Sequence, residues 1–268
     1  MTKLIALGSL MIVAAALPCN ARSSQSSDGS IRLRLMGGRP VVDEVFLNGQ
    51  GPFRFLLDTG AQTNQVEASI ARKLGLTPTF RVEMATASGT IPVAGGHVAE
   101  VSLGSATASN QEFLFTTLDG IHTLSTDIQG VLGQEFLAHF DYLLDFAGHR
   151  LVFAAPAPEA GNRVNFAMID GRPAIETSEG NLVLDSGTDT AVLFRASSSA
   201  PGDRIRTASG SASVSMLQNL RLRIAGREYR PASAASIPQS SQGEDGLLPA
   251  SLFRAIFFSN SSHYAILM

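Results

Sequence analysis

Two short stretches of this chain set a carboxylate, a small hydroxyl residue and a glycine directly after an apolar run. The first is Phe55-Leu56-Leu57-Asp58-Thr59-Gly60-Ala61, the second Leu182-Val183-Leu184-Asp185-Ser186-Gly187-Thr188. A single Asp-Thr-Gly after a strand is ordinary turn chemistry. Two copies, each closing a strand-like hydrophobic run, point to two carboxylates brought together by a repeated fold. Like charges in a poorly solvated cleft cannot both be ionised cheaply, so such a pair retains one proton between its members. One member can then take a proton from a bound water while the other donates to a carbonyl oxygen. That is amide hydrolysis with neither a covalent intermediate nor a metal. Asp58 and Asp185 are therefore the candidate catalytic residues. Gly60 and Gly187 allow close backbone approach and offer N–H groups to the carboxylates, and the hydroxyls of Thr59 and Ser186 are suited to fixing the two turns against each other.

Competing chemistries find little support. The five histidines show no His-x-x-x-His or His-x-x-Glu-His spacing, which argues against a zinc site. There is no Gly-x-Ser-x-Gly elbow and no glycine-rich phosphate loop after a strand. No cofactor or metal is expected.

The elements that must position the aspartates also recur. Gly38-Arg39-Pro40 returns as Gly171-Arg172-Pro173, Thr86-Ala87-Ser88-Gly89 as Thr207-Ala208-Ser209-Gly210, and Gly130-Val131-Leu132-Gly133 as Gly246-Leu247-Leu248-Pro249. The landmarks keep one order, and the distance between mates shrinks steadily along the chain, as shorter loops in the second copy would produce. This reads as a duplication of about 120 residues rather than a short-period repeat. Alternation predicts a strand at residues 31–35 and another at 41–47, with Asn48-Gly49 turning the chain into the strand that delivers Asp58. Residues 64–74 carry Val66, Ile70 and Leu74 at helical spacing, with Gly75 as cap and Pro78 as stop, and predict a helix. Residues 82–98 predict a hairpin with its tip at Ala87-Ser88-Gly89. Residues 134–139 predict a short helix, and 142–146 with 150–153 a closing hairpin. Ala154-Ala155-Pro156-Ala157-Pro158 is the best boundary between halves, giving lobes of 31–155 and 156–268.

The 268 residues suffice for two lobes of ordinary size. Charged residues are only 16%, net charge is −3 and no Lys/Arg cluster is present, which excludes an electrostatic nucleic-acid partner. Twenty-five Gly and twelve Pro fit a turn-rich β protein. At the N-terminus, Lys3 precedes an apolar run from Leu4 to Leu17 and a small-x-small site at Cys19-Asn20-Ala21. Residues 1–21 read as a signal peptide and 22–30 as a Ser-rich tether, so an exported protein is expected, periplasmic or secreted. Cleavage after Ala21 removes Cys19, the chain's one cysteine. Lipid attachment at Cys19 is the second export reading, weakened by Pro18.

Leu57-Asp58-Thr59-Gly60-Ala61, Gly130-Val131-Leu132-Gly133 and Leu184-Asp185-Ser186-Gly187-Thr188 resemble the motifs of the aspartic protease family, and most closely those of retropepsin-like bacterial proteins with two lobes in one chain. The resemblance spans roughly residues 31 to 268. It implies an all-β fold of two pseudo-symmetric lobes, closed and barrel-like with few short helices, and a cleft between them. It implies an aspartic endopeptidase acting on a peptide bound in extended form, with Ala61, Thr188 and the hairpin-tip residues Ala87, Ser88, Gly89, Thr90, Ser209 and Gly210 touching substrate. Both aspartates lie in one chain, so a monomer is expected. Val131-Leu132-Gly133 would support the first catalytic turn. Pro249 departs from this pattern, standing where the second lobe should have its supporting glycine, and predicts a distorted second turn. The alternative reading, an exported peptide-binding protein of the same fold without activity, rests on that proline. A carboxylate-pair glycosidase is a weaker third, since the chain has no Trp and three Tyr with which to stack sugars.

Overall fold

Asn48 and Gly49 both take positive φ, 51° and 71°, as a tight hairpin turn of the right twist requires. They join the strands Arg39–Leu47 and Gln50–Leu57, which pair antiparallel with Val41 opposite Leu56. In this computed structural model, residues 29–86, 89–196, 203–207, 210–238 and 243–268 are described. The fold is all-β with a few short helices. Among the described residues no helix is long and apolar enough to cross a membrane.

The strand leading to Asp58 is an inner one. Gln50–Leu57 has Arg39–Leu47 on one side and Gly130–Leu132, parallel to it, on the other, with Leu57 opposite Leu132. A strand flanked on both edges and covered on both faces must be apolar throughout. Phe55, Leu56 and Leu57 are accordingly buried, as are Leu182, Val183 and Leu184 in the second half. The sheet continues through Asn64–Glu67, Ala106–Thr116, Gly89–Leu103 and Phe80–Thr86. Arg39–Leu47 also pairs with Gly89–Leu103, so the sheet folds back on itself.

The second half repeats this order strand for strand. Arg172–Thr177 pairs with Gly180–Asp185, which runs parallel to Gly246–Pro249. Then follow Ala191–Leu193, Ala234–Ser236, Gly210–Met216 and Asp203–Thr207. Between the halves lies a sheet to which each contributes three strands. Its order is Ile31–Arg32, Arg150–Phe153, Tyr142–Asp145, Ala255–Ser259, Tyr264–Leu267 and Asn162–Ile169. Tyr142 faces Phe258 at its centre, and the two rings stack 5.0 Å apart. One core cluster runs from Leu57 and Leu132 through Tyr142 and Phe258 to Leu184 and Leu248, so the halves share a single hydrophobic interior.

Residues 64–74 differ from the expected helix. Asn64–Glu67 is a strand, parallel to Ala106–Thr116 and antiparallel to Gly130–Leu132, and only Ala68–Lys73 is helical. Val66 sits at helical spacing from Ile70, but its side chain is fully buried between two strand neighbours. Backbone pairing on both edges outweighs a four-residue stretch of helix periodicity. The cap at Gly75 is as expected. Its φ is +69°, its N–H donates to Arg72 O, and the N–H of Leu76 donates to Ala71 O, the two-bond closure that a left-handed residue permits.

Candidate active site

Asp58 and Asp185 each sit one residue past the end of, or at the end of, an inner strand, on turns that face each other. The turns are tied by four reciprocal hydrogen bonds. Thr59 Oγ1 donates to the Leu184 carbonyl at 2.6 Å and accepts from Ser186 N–H at 3.0 Å. Ser186 Oγ donates to the Leu57 carbonyl at 2.7 Å and accepts from Thr59 N–H at 3.0 Å. Each hydroxyl thus satisfies a donor and an acceptor of the opposite turn, and both residues are fully buried. Serine and threonine serve equally here because only the hydroxyl takes part.

The glycines are required by the facing carboxylates rather than by backbone conformation. A Cβ on Gly60 would lie 2.3 Å from Asp185 Cγ, and a Cβ on Gly187 would lie 2.3 Å from Asp58 Oδ2. No side chain fits there. The same glycines donate N–H to the aspartate of their own turn, Gly60 to Asp58 Oδ1 at 2.9 Å and Gly187 to Asp185 Oδ1 at 2.7 Å.

Burial raises both carboxyls above the usual range, and Asp185 much the further, because the charge on Asp58 adds to its own desolvation. The pair accordingly favours holding one proton between its two members. Asp185 is 7% exposed and Asp58 is half-buried, so Asp58 is the member nearer solvent. The aspartates titrate as a pair, with apparent values that belong to the two together.

The supports behind the two turns are not the same. Behind the first, Asp58 N–H donates to the Leu132 carbonyl at 3.0 Å, Gly133 N–H to Asn64 Oδ1 at 3.0 Å, and Gln134 Nε2 to the Thr59 carbonyl at 2.9 Å. A Cβ on Gly133 would meet the Ala61 and Thr63 carbonyls within 2.8 Å. Behind the second, Pro249 lies opposite Asp185 in the parallel ladder, and Ala191 occupies the strand position that Asn64 holds in the first half. The expected distortion from Pro249 is absent. Proline removes an N–H whose side-chain acceptor is also missing in this half, so nothing is left unpaired, and the Gly187–Asp185 bond is as short as its mate.

Of the residues expected to touch substrate, Ala61 follows the first turn and packs on the Val41, Leu56 and Val131 cluster, while its carbonyl accepts from Gln134 N–H at 2.8 Å. Thr188 bonds within its own turn, its hydroxyl donating to the Thr190 carbonyl at 3.1 Å. Gly89 pairs with Thr86, Thr90 with Ala85 and Gly210 with Thr207, which sets both hairpins as expected. Ala87, Ser88 and Ser209 lie outside the described residues.

Arg39 is a site residue that sequence reasoning passed over. Its Nε donates to the Gly187 carbonyl at 2.8 Å and its Nη2 pairs with Asp189 at 3.1 Å, so a first-half side chain braces the second turn. The signal was the repeated Gly-Arg-Pro, which served only as a landmark. Asn64 was hidden within the predicted helix, and Gln134 had no signal of its own.

The aspartyl protease family model matches residues 44–136, a span that contains the Asp58 turn and Gly130 to Gly133. A solved retropepsin-like aspartic protease from Rickettsia conorii is similar at 21% identity, over 46% of this chain and 87% of that one, with a TM-score of 0.33. No curated protein matches the chain. Over residues 44–136, within its first half, the chain is thus similar to the aspartyl protease family.

Proposed function

We propose that this protein is an aspartic endopeptidase in which Asp58 and Asp185 of one chain activate a water between them. The observation that carries the reading is the reciprocal bonding of the two turns, which holds the two carboxyls face to face in a buried setting. A protein that only bound peptides would have little physical need for two desolvated carboxyls at that distance. Pro249, the feature behind the binding-only alternative, leaves the second turn's bonding intact.

The chemistry follows from the two protonation states. Ionised Asp58 accepts a proton from the water as its oxygen adds to the scissile carbonyl carbon, and Asp185 gives its proton to the carbonyl oxygen. The resulting tetrahedral diol collapses as its C–N bond breaks. Asp58 returns its proton to the leaving nitrogen, and a diol hydroxyl returns one to Asp185, so the pair ends as it began. Thr59, Gly60, Ser186 and Gly187 hold the carboxyls still, which is where positioning contributes most. Peptide binds extended beneath the hairpins that carry the Thr86–Gly89 and Thr207–Gly210 pairs, with Ala61 and Thr188 beside the scissile bond.

Purified residues 22–268 are expected to cleave a denatured protein mixture with a bell-shaped dependence between pH 3 and 7. The acid limb reports loss of the single negative charge and the alkaline limb loss of the shared proton. A rate independent of pH across that range would contradict the shared proton. Pepstatin sensitivity measures how closely the cleft accepts a statine-type diol mimic.

The two equivalent halves are read as a gene duplication, and the chain as exported through residues 1–21, which lie outside the described residues. Protein recovered from the host's cell envelope or medium is expected to begin at Arg22 on N-terminal mass analysis. A retained Cys19 carrying a lipid mass would assign anchoring instead.

A further inference from the structure

The stretch Arg221-Leu222-Arg223-Ile224-Ala225-Gly226-Arg227-Glu228-Tyr229-Arg230 holds four arginines and one glutamate in ten residues. Other residues separate the arginines, so they form no run, and the sequence reading found no cluster. The fold collects them. Leu222–Ile224 and Arg227–Tyr229 pair antiparallel as a hairpin, with Arg223 opposite Glu228. Leu222 and Ile224 are fully buried, whereas all four arginines are exposed. The turn residues Ala225 and Gly226 have φ of 44° and 81° and are exposed as well. Both are small, so no bulky side chain at the tip keeps a flat surface away from the arginines.

The cations are not needed to build the hairpin, because the first half makes the same attachment with an acid. Asn48 N–H donates to the Glu100 carbonyl at 2.8 Å, and Asn48 Oδ1 accepts from Glu100 N–H at 3.0 Å. In the second half Ser178 and Arg223 exchange the same two bonds, each at 3.0 Å. Only the backbone of Glu100 or Arg223 takes part, so the fold does not require the reversal of charge. Much of that charge is also free. Glu228 Oε1 accepts from Arg230 Nε at 2.9 Å and from Arg230 Nη2 at 2.8 Å, with Arg221 3.9 Å away. Arg223 and Arg227 have no carboxylate within ion-pairing distance among the described residues. Glu179, next to Ser178, is taken by Arg195. The chain carries −3 overall, so the +3 of this hairpin leaves −6 elsewhere. Exposed charges more than about 10 Å apart are largely screened at 0.1 M salt, so a surface responds to the face it meets. This hairpin is a face that attracts anions on a chain that otherwise repels them.

We propose that residues 221–230 dock the protein on an anionic phospholipid membrane, with the four guanidiniums bonding headgroup phosphates, whose geometry their planar donors match. The position in the fold suits this task. The hairpin hangs on Ser178, just before the strand Gly180–Asp185 begins, and Asp185 ends that strand about 17 Å further on at the usual rise per residue. Docking at this end leaves the carboxyl pair, at the other end of the strand, open to soluble peptide. A membrane offers phosphates over a continuous surface and needs no shaped cleft to be recognised. An exported chain, the reading of residues 1–21, meets such a surface. The proposal does not depend on the endopeptidase reading.

The test is cosedimentation of purified residues 22–268 with vesicles of phosphatidylglycerol and phosphatidylcholine in equal parts, and with vesicles of phosphatidylcholine alone. Wild type is expected to bind the anionic vesicles and not the neutral ones, and to be released as salt is raised to about 0.5 M. Arg223→Ser combined with Arg227→Ser should weaken binding about 25-fold, about fivefold for each cation lost. Glu228→Gln should strengthen it about fivefold. Both variants should melt with wild type, since every side chain they change is exposed. Absence of binding by wild type, or equal binding by the double variant, overturns the proposal. Binding of poly-glutamate or of a short DNA duplex, with vesicles left unbound, overturns it too and assigns the hairpin to a soluble polyanion. Peptide cleavage is read separately and should be unchanged in the variants. A protein that binds anionic vesicles through this hairpin yet cuts no peptide upholds the docking surface and defeats the endopeptidase reading instead.

Discussion

Asp58→Asn and Asp185→Asn are each expected to lower peptide hydrolysis by about a thousandfold or more, the range that general acid–base groups contribute. Neither change should disturb the turns. Asparagine keeps the oxygen that accepts Gly60 or Gly187 N–H, and the four bonds between the turns involve no carboxyl. Stability should respond to pH in a specific direction. Asp185 is raised in the folded state above its unfolded value near 4, because burial and the Asp58 charge both oppose its ionisation. Wild-type stability from this group is therefore full below the unfolded pKa and is lost as pH rises through the folded one. Asp185→Asn has no such loss, so it should gain on wild type from pH 3 to pH 7 in thermal melts. A variant that falls behind wild type over that interval would mean that the carboxyl is favourably ionised in the fold, and the shared proton would have to be abandoned.

The second large effect concerns stability. Thr59→Val preserves shape but removes the hydroxyl that donates to the Leu184 carbonyl and accepts from Ser186 N–H. Both backbone groups are then buried without a partner, at a cost of about 1–3 kcal/mol each. A loss of about 2–6 kcal/mol is large against the roughly 5–15 kcal/mol that a domain typically holds. The turns would also lose alignment, and a displacement near 1 Å is enough to cost about a hundredfold in rate. Urea denaturation with a parallel activity assay checks both. Thr59→Ser keeps the hydroxyl and should stay close to wild type, as Ser186 does in the opposite turn. Loss under about 1 kcal/mol in Thr59→Val would show that the reciprocal bonds do not hold the turns together.

Much of this site was legible in the sequence because its chemistry is local. Asp58, Thr59 and Gly60 are consecutive, their mates recur after an equally apolar strand, and Asn48-Gly49 names its own turn type. The strand order is likewise implied by the repeated landmarks. What escaped depends on contacts between distant residues. Val66 has helical spacing to Ile70, yet its strand pairing with Gly130 and Phe115 was set by partners that no local pattern reveals. Pro249 looked like a defect because its consequence depends on Ala191, 58 residues earlier in the chain and adjacent only in the sheet. Arg39 and Arg172 share the Gly-Arg-Pro sequence, yet the fold holds them differently, Arg39 on the Gly187 carbonyl and Asp189 and Arg172 on Glu244.

The central claim is that both carboxyls of one chain make one hydrolytic site. Its most direct test is a mass-spectrometric peptide-cleavage assay of wild type, of each single asparagine variant, and of the two variants mixed in equal amounts. Wild type should cut while both variants and their mixture stay silent, because no chain in the mixture holds two aspartates. Cleavage by either variant alone would contradict the dyad, and cleavage restored only on mixing would place the site between two chains.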